Sequence, residues 1–206
     1  MGKYKIIHQK DNDEIEEYEI EAADLSDAQD IVLGKESISI IALEKPIIIK
    51  IENQLDKKFA KYYLGKVKTS GFNGHGCYLF SWAYIYSVKM GKQISPIEVD
   101  KMFMDNGVYD GDMIISEKAA KVLGLHYYGK EYDINKPPAW SPSIKEVDFS
   151  IKNGKSQHFV VREKINGKNV ILDPYGGVQR PINYYELKVN DPEWKSRYFN
   201  YRLVKI

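Results

Sequence analysis

Between Tyr78 and Met90 the apolar positions Leu79, Ala83, Tyr86 and Met90 recur at helical spacing, and Phe80 and Trp82 widen the face. That spacing predicts a helix running through a core. A second helix is announced by Ser95-Pro96-Ile97-Glu98: a serine cap, proline at the first helical position and a glutamate able to reach back. It should run to about Asp105, where Asn106-Gly107 stops it. A third begins at Ser116 and ends at Gly124, carrying Ala119, Ala120 and Leu123 into the apolar Leu125. Further on the texture changes to short continuous apolar runs. His158-Phe159-Val160-Val161 and Val170-Ile171-Leu172-Asp173 are separated by charged residues and by Asn166-Gly167, a strong turn signal, so the two runs read as an antiparallel hairpin.

The first fifty residues are patterned differently. Lys3 to Gln9 and Glu16 to Glu21 alternate like strands, Asp24 to Leu33 reads as a short helix with Ser26 and Gln29 as a capping box and Gly34 as its stop, and Ser37 to Leu43 reads as another strand. Residues 1–50 are therefore expected to form a small α+β unit, free of assigned chemistry and serving as a docking or particle-targeting piece or as packing for a larger domain over 51–206. Ile51 to Lys68 is expected to be an amphipathic connector with Leu55, Phe59, Tyr62 and Tyr63 as its apolar stripe, and Lys57, Lys58 and Lys61 on a solvated face. Lys136 to Pro142 is a proline-rich rigid loop before the hairpin.

Candidate chemistry falls at the edges of these elements. Cys77, the single cysteine, stands in Gly74-His75-Gly76-Cys77 at the start of the first predicted helix. A helix start offers unpaired N–H groups and partial positive charge that favour a thiolate. The glycines let the backbone approach a bound carbonyl, and the Cys77 N–H is free to point at a developing oxyanion. His158 opens one arm of the hairpin and Asp173 closes the other, so antiparallel pairing brings them to the same end of the ribbon, where a carboxylate can orient the imidazole. A nucleophile, a base and an orienting acid are the parts of a Cys-His-Asp hydrolase. His75, two residues from Cys77, is better placed as a loop or substrate-rim residue than as a competing base.

In their order, Gly-Cys at a helix start, about eighty residues, His-Phe-Val-Val, a turn, then Asp173-Pro174 with Gly176 and Gly177, these residues resemble papain-like cysteine peptidases of the bacteriocin-processing (double-glycine leader peptidase) type and their stand-alone relatives. The resemblance spans roughly Gly71 to Gly177. It implies an α+β papain-like cysteine peptidase fold, with a helical lobe led by the Cys77 helix and an antiparallel sheet lobe carrying His158 and Asp173. The implied roles are Cys77 as nucleophile, His158 as general base and acid, and Asp173 as its orienter. The family's oxyanion glutamine, six residues before the cysteine, is Gly71 here. Asn73 is the closest side-chain amide and the substitute candidate. In a papain-like layout the Lys136 to Pro142 loop would border the cleft, with Trp140 or Tyr175 either lining a substrate subsite or serving in packing.

Thirty basic against twenty-nine acidic residues leave a net charge of +1, so no overall field draws the chain to nucleic acid or an anionic membrane. No apolar run reaches the length of a membrane span. No signal region or myristoylation pattern opens the chain, which suggests a cytoplasmic protein, or one released or virion-associated without a signal peptide. The four histidines form no zinc pattern, and Asp110 and Asp112 lack the following glutamate of a calcium loop, so no metal or cofactor is expected. The favoured function is a cysteine peptidase acting on peptides, cell-wall peptide stems among them. The alternatives are a transglutaminase-like acyl transferase and a catalytically inactive papain-like module that binds peptide or serves a phage particle.

Overall fold

The structure is a computed structural model and describes residues 2–9, 15–24, 38–42, 48–133, 136–148, 157–165, 167–185 and 200–206. The chain divides into two compact units, Met1–Ile49 and Lys50–Ile206. In the first, β1 (Gly2–Gln9) lies between β2 (Ile15–Ala22) and β3 (Ile38–Ala42), antiparallel to both. Tyr4 and Ala22 are buried. The helix expected over Asp24 to Leu33, with Ser26, Gln29 and Gly34, falls almost wholly outside the described residues.

The second unit is α+β. Its helices among the described residues are α1 (Phe72–His75), α2 (Cys77–Met90), α3 (Pro96–Asp105) and α4 (Ser116–Val122). A two-stranded hairpin, β4 (Tyr109–Asp110) with β5 (Met113–Ile114), joins α3 to α4. β6 (His126–Glu131), β7 (Ser143–Asp148), β8 (Gln157–Ile165), β9 (Lys168–Asp173), β10 (Val178–Pro181) and β11 (Asn200–Lys205) form a six-stranded sheet in the order β10-β9-β8-β7-β11-β6. Every neighbouring pair is antiparallel.

The local signals explain the helices. Ser95 Oγ accepts from Ile97 N (3.2 Å) while Glu98 reaches back to the Ser95 N–H (3.0 Å), so α3 starts at its proline with both caps in place. α2 is apolar around most of its circumference, and Leu79, Phe80, Trp82 and Ile85 are all but inaccessible, each worth about 1.5–3 kcal/mol on burial. Tyr78 stacks on Phe159 of β8 with ring centroids 4.1 Å apart, which ties the head of α2 to the sheet. The connector over Ile51 to Lys68 is not one amphipathic helix: it forms two 3-10 turns, Lys57–Phe59 and Leu64–Lys66. Phe59 is fully buried, whereas Leu55 and Tyr63 are about 40% exposed, so its apolar residues do not share one buried face. Among the described residues no helix is long and apolar enough to cross a membrane.

Candidate active site

Gly76 separates α1 from α2, and a Cβ on it would meet the Phe72 carbonyl oxygen at 2.5 Å and the Phe80 ring at 3.1 Å. A glycine is therefore required for the chain to bend this tightly into the helix that Cys77 begins. Cys77 is 8% exposed and lines a cleft of about 500 Å³ together with His75, Tyr78, Phe159 and residues of the β4–β5 hairpin.

On the sheet, β8 and β9 pair in the register Val161↔Leu172, with Gly167 in the left-handed region (φ +74) at their turn. Asn166 lies outside the described residues. One step further along this register sets Asp173 opposite Val160, so His158 is its diagonal neighbour on the same face. His158 Nε2 and Asp173 Oδ1 are 2.8 Å apart. Asp173 is wholly buried and also accepts from Tyr175 N (2.9 Å), Arg180 Nε (2.7 Å) and Tyr185 Oη (2.6 Å). Burial alone would raise its pKa; the hydrogen bonds from His158, Tyr185 and Arg180 win, and it is held below the usual carboxylate value.

His158 feels the same contest with the opposite sign. Burial disfavours its charged form, but the Asp173 hydrogen bond, then the hydrogen bond and charge of Cys77, push the imidazole up from 6.5 to about 9. Cys77 thus lies near enough to the ring to favour its charged form. Of the three candidate residues, His158 and Asp173 are in direct contact, and Cys77 lies near enough to the ring to shift its protonation.

The other expectations fare differently. Tyr175 stands edge-on to the His158 ring, centroids 6.4 Å apart, and is 38% exposed, but it is not among the residues that line the cleft. His75 lines the cleft. Trp140 does not line it; its indole donates to the Val204 carbonyl (2.6 Å) and packs against Tyr128. Asn73 does not line it either. Its side-chain Oδ1 is buried with no hydrogen-bond partner among the described residues, and what it contributes is its backbone carbonyl, which accepts from Gln54 Nε2 at 3.1 Å.

Gln54 is the residue that sequence reasoning missed. It is 2% exposed, and its backbone N–H donates to the Pro174 carbonyl (2.9 Å) while its side chain reaches the Asn73 carbonyl. Asn53 adds a bond from Gly176 N to its Oδ1 (3.1 Å), and Gly177, at φ +63, must stay a glycine because a Cβ there would meet Asn53 at 3.0–3.2 Å. Asn53-Gln54 therefore clips the turn after Asp173 to the loop before Cys77. In an unbroken helix the Asn73 carbonyl would accept the Cys77 N–H. Here the ladder is interrupted at Gly76, and Gln54 occupies that carbonyl instead. Only the burial of a glutamine in a polar segment could have signalled this, and burial is invisible in one sequence. Among the described residues no three His, Cys, Asp or Glu gather as a metal site.

In comparison with known proteins, the chain matches no family model, no curated protein and no solved structure.

Proposed function

We propose that the chain is a papain-like cysteine hydrolase that cleaves amide bonds in peptides through Cys77, His158 and Asp173. The observation that carries this reading is the buried His158–Asp173 bond of 2.8 Å with the imidazole coupled to a sulfur on a cleft wall. A helix-borne cysteine facing a sheet-borne histidine and aspartate supports the papain-like assignment. The raised His158 pKa supports a ring that is protonated at neutral pH and able to act as an acid.

The sulfur attacks the scissile carbonyl carbon, and the carbonyl oxygen becomes an oxyanion facing the Cys77 N–H, which the Gln54–Asn73 bond keeps out of the helical ladder. The tetrahedral species collapses as His158 gives its proton to the leaving amine, and a thioester forms on Cys77. Water then attacks the thioester while His158 takes its proton; the carboxylic acid leaves and the thiol is restored. Asp173 keeps the ring oriented and stabilises its charge without taking a proton.

The test is a digest of blocked peptide libraries and peptidoglycan fragments by the wild type and by Cys77→Ala. New amine and carboxylate ends with the wild type alone, and a mass adduct on Cys77 in quenched samples, are expected. Cleavage that survives in Cys77→Ala, or its absence from both proteins across the panel, overturns the reading. Amide exchange seen only with an added amine would instead identify an acyl transferase.

A further inference from the structure

Lys130 of β6 and Arg202 of β11 are register partners, so their side chains stand side by side on one face of the sheet, and both line the cleft that contains Cys77. Two cations directly opposite each other repel. Glu146 offsets part of this: its Oε2 lies 2.7 Å from Arg202 Nη2, and both side chains are 6% exposed. The guanidinium also lies 5.3 Å from the centroid of Phe159, and the second Glu146 oxygen accepts from Gln157 Nε2 (2.5 Å). One buried carboxylate thereby orients two cleft-lining donors, Arg202 and Gln157. Lys130 is exposed, and no carboxylate pairs with it among the described residues.

The β4–β5 hairpin brings the opposite charge to the same cleft through Asp110 and Asp112. Asp112 accepts from Ser70 Oγ, which orients it. Neither aspartate forms an ion pair with Lys130 among the described residues, so the two signs face one space without cancelling each other. A cleft of about 500 Å³ lies within the size range of ligand sites.

We infer that this cleft takes a dipolar stretch of peptide, with a carboxylate against Lys130 and Arg202 and an ammonium against Asp110 and Asp112. Only the further step, that the bond between the two charges is the one cut, rests on the hydrolase reading. Opposite charges held on different elements of one cleft favour one direction in which a chain lies over its reverse. A substrate bearing both a free acid and a free amine is thereby selected over a neutral one.

Binding to full-length Cys77→Ala, read by calorimetry, tests this without turnover. The probes are two end-blocked tetrapeptides, Glu-Ala-Ala-Lys and Lys-Ala-Ala-Glu, and the same peptides with glutamine for glutamate or norleucine for lysine. At least one dipolar peptide should bind more tightly than its neutral counterparts, by on the order of five-fold per charge. Lys130→Gln should weaken the preference for glutamate over glutamine and leave lysine over norleucine intact; Asp110→Asn should do the reverse. Equal affinity across the panel, binding of none of the peptides, or a Lys130→Gln loss that is the same for neutral peptides overturns the inference. Charge-dependent binding without cleavage by the wild type would keep it and sink the hydrolase; cleavage indifferent to charge would do the opposite.

Discussion

Asp173, on the sheet, is held by four hydrogen bonds from His158, Tyr175, Arg180 and Tyr185, whereas among the described residues the loop that delivers Cys77 receives one side-chain hydrogen bond, from Gln54, and the buried amide oxygens of Gln54 and of Asn73 in that loop have no hydrogen-bond partner. A buried polar atom left unpaired costs about 1–3 kcal/mol. The sheet side is therefore over-determined and the helix side is held at a cost. Redundancy suits the group that must keep one orientation throughout a reaction. A loop near its polar limit suits the group that forms and breaks a bond with the substrate.

The largest effect should come from attacking the sheet side at its centre. Asp173→Asn keeps the shape but removes the charge, and kcat should fall on the order of 10³-fold. The His158 ring, followed by NMR, should then titrate well below the wild-type value of about 9. Because the folded-state value is raised, the stability that this charge contributes is full below about 6.5 and is lost as pH rises through about 9. Wild-type unfolding midpoints should fall across that interval, and those of His158→Ala should not. An unchanged NMR titration in Asp173→Asn would show that the carboxylate does not hold the ring.

Next comes the helix side. Gln54→Leu matches the glutamine in size and removes the donor, so kcat should drop on the order of 10²-fold with KM little changed. The Cys77 amide should at the same time become slower to exchange hydrogen as it recovers the Asn73 carbonyl. A fall in KM-controlled binding alone, with exchange unaltered, would refute the clip. The smallest effect is expected from Tyr185→Phe, because Asp173 retains three other partners. A cost of about 1 kcal/mol in stability, and less than ten-fold in kcat, should be found by denaturant unfolding and steady-state rates. If Tyr185→Phe proves as damaging as Gln54→Leu, the two sides are equally fragile and the contrast fails.

Much of the helical half was legible because helices are local. Ser95-Pro96-Ile97-Glu98 caps α3 as its residues dictate, and the spacing from Leu79 to Met90 marks α2. The β8–β9 hairpin was legible for the same reason, since its turn and both arms lie close in the chain. β7, β11 and the cleft charges were not. β11 pairs with β6 and β7 across more than fifty residues of chain, and no period in a local window reports such a partner. The connector around Phe59 misled because an apolar residue every few positions fits a helix as well as two separate turns, and packing chose the turns.

By itself the sequence determined where a thiol, an imidazole and a carboxylate would meet the ends of regular elements, since capping, turn residues and periodicity act over a few residues. Only the tertiary structure decided what surrounds them: Gln54 on the Asn73 carbonyl, Arg180 and Tyr185 on Asp173, Lys130 beside Arg202. Those contacts arise from burial and long-range strand pairing, whose free energy depends on the whole packed chain rather than on any segment of it.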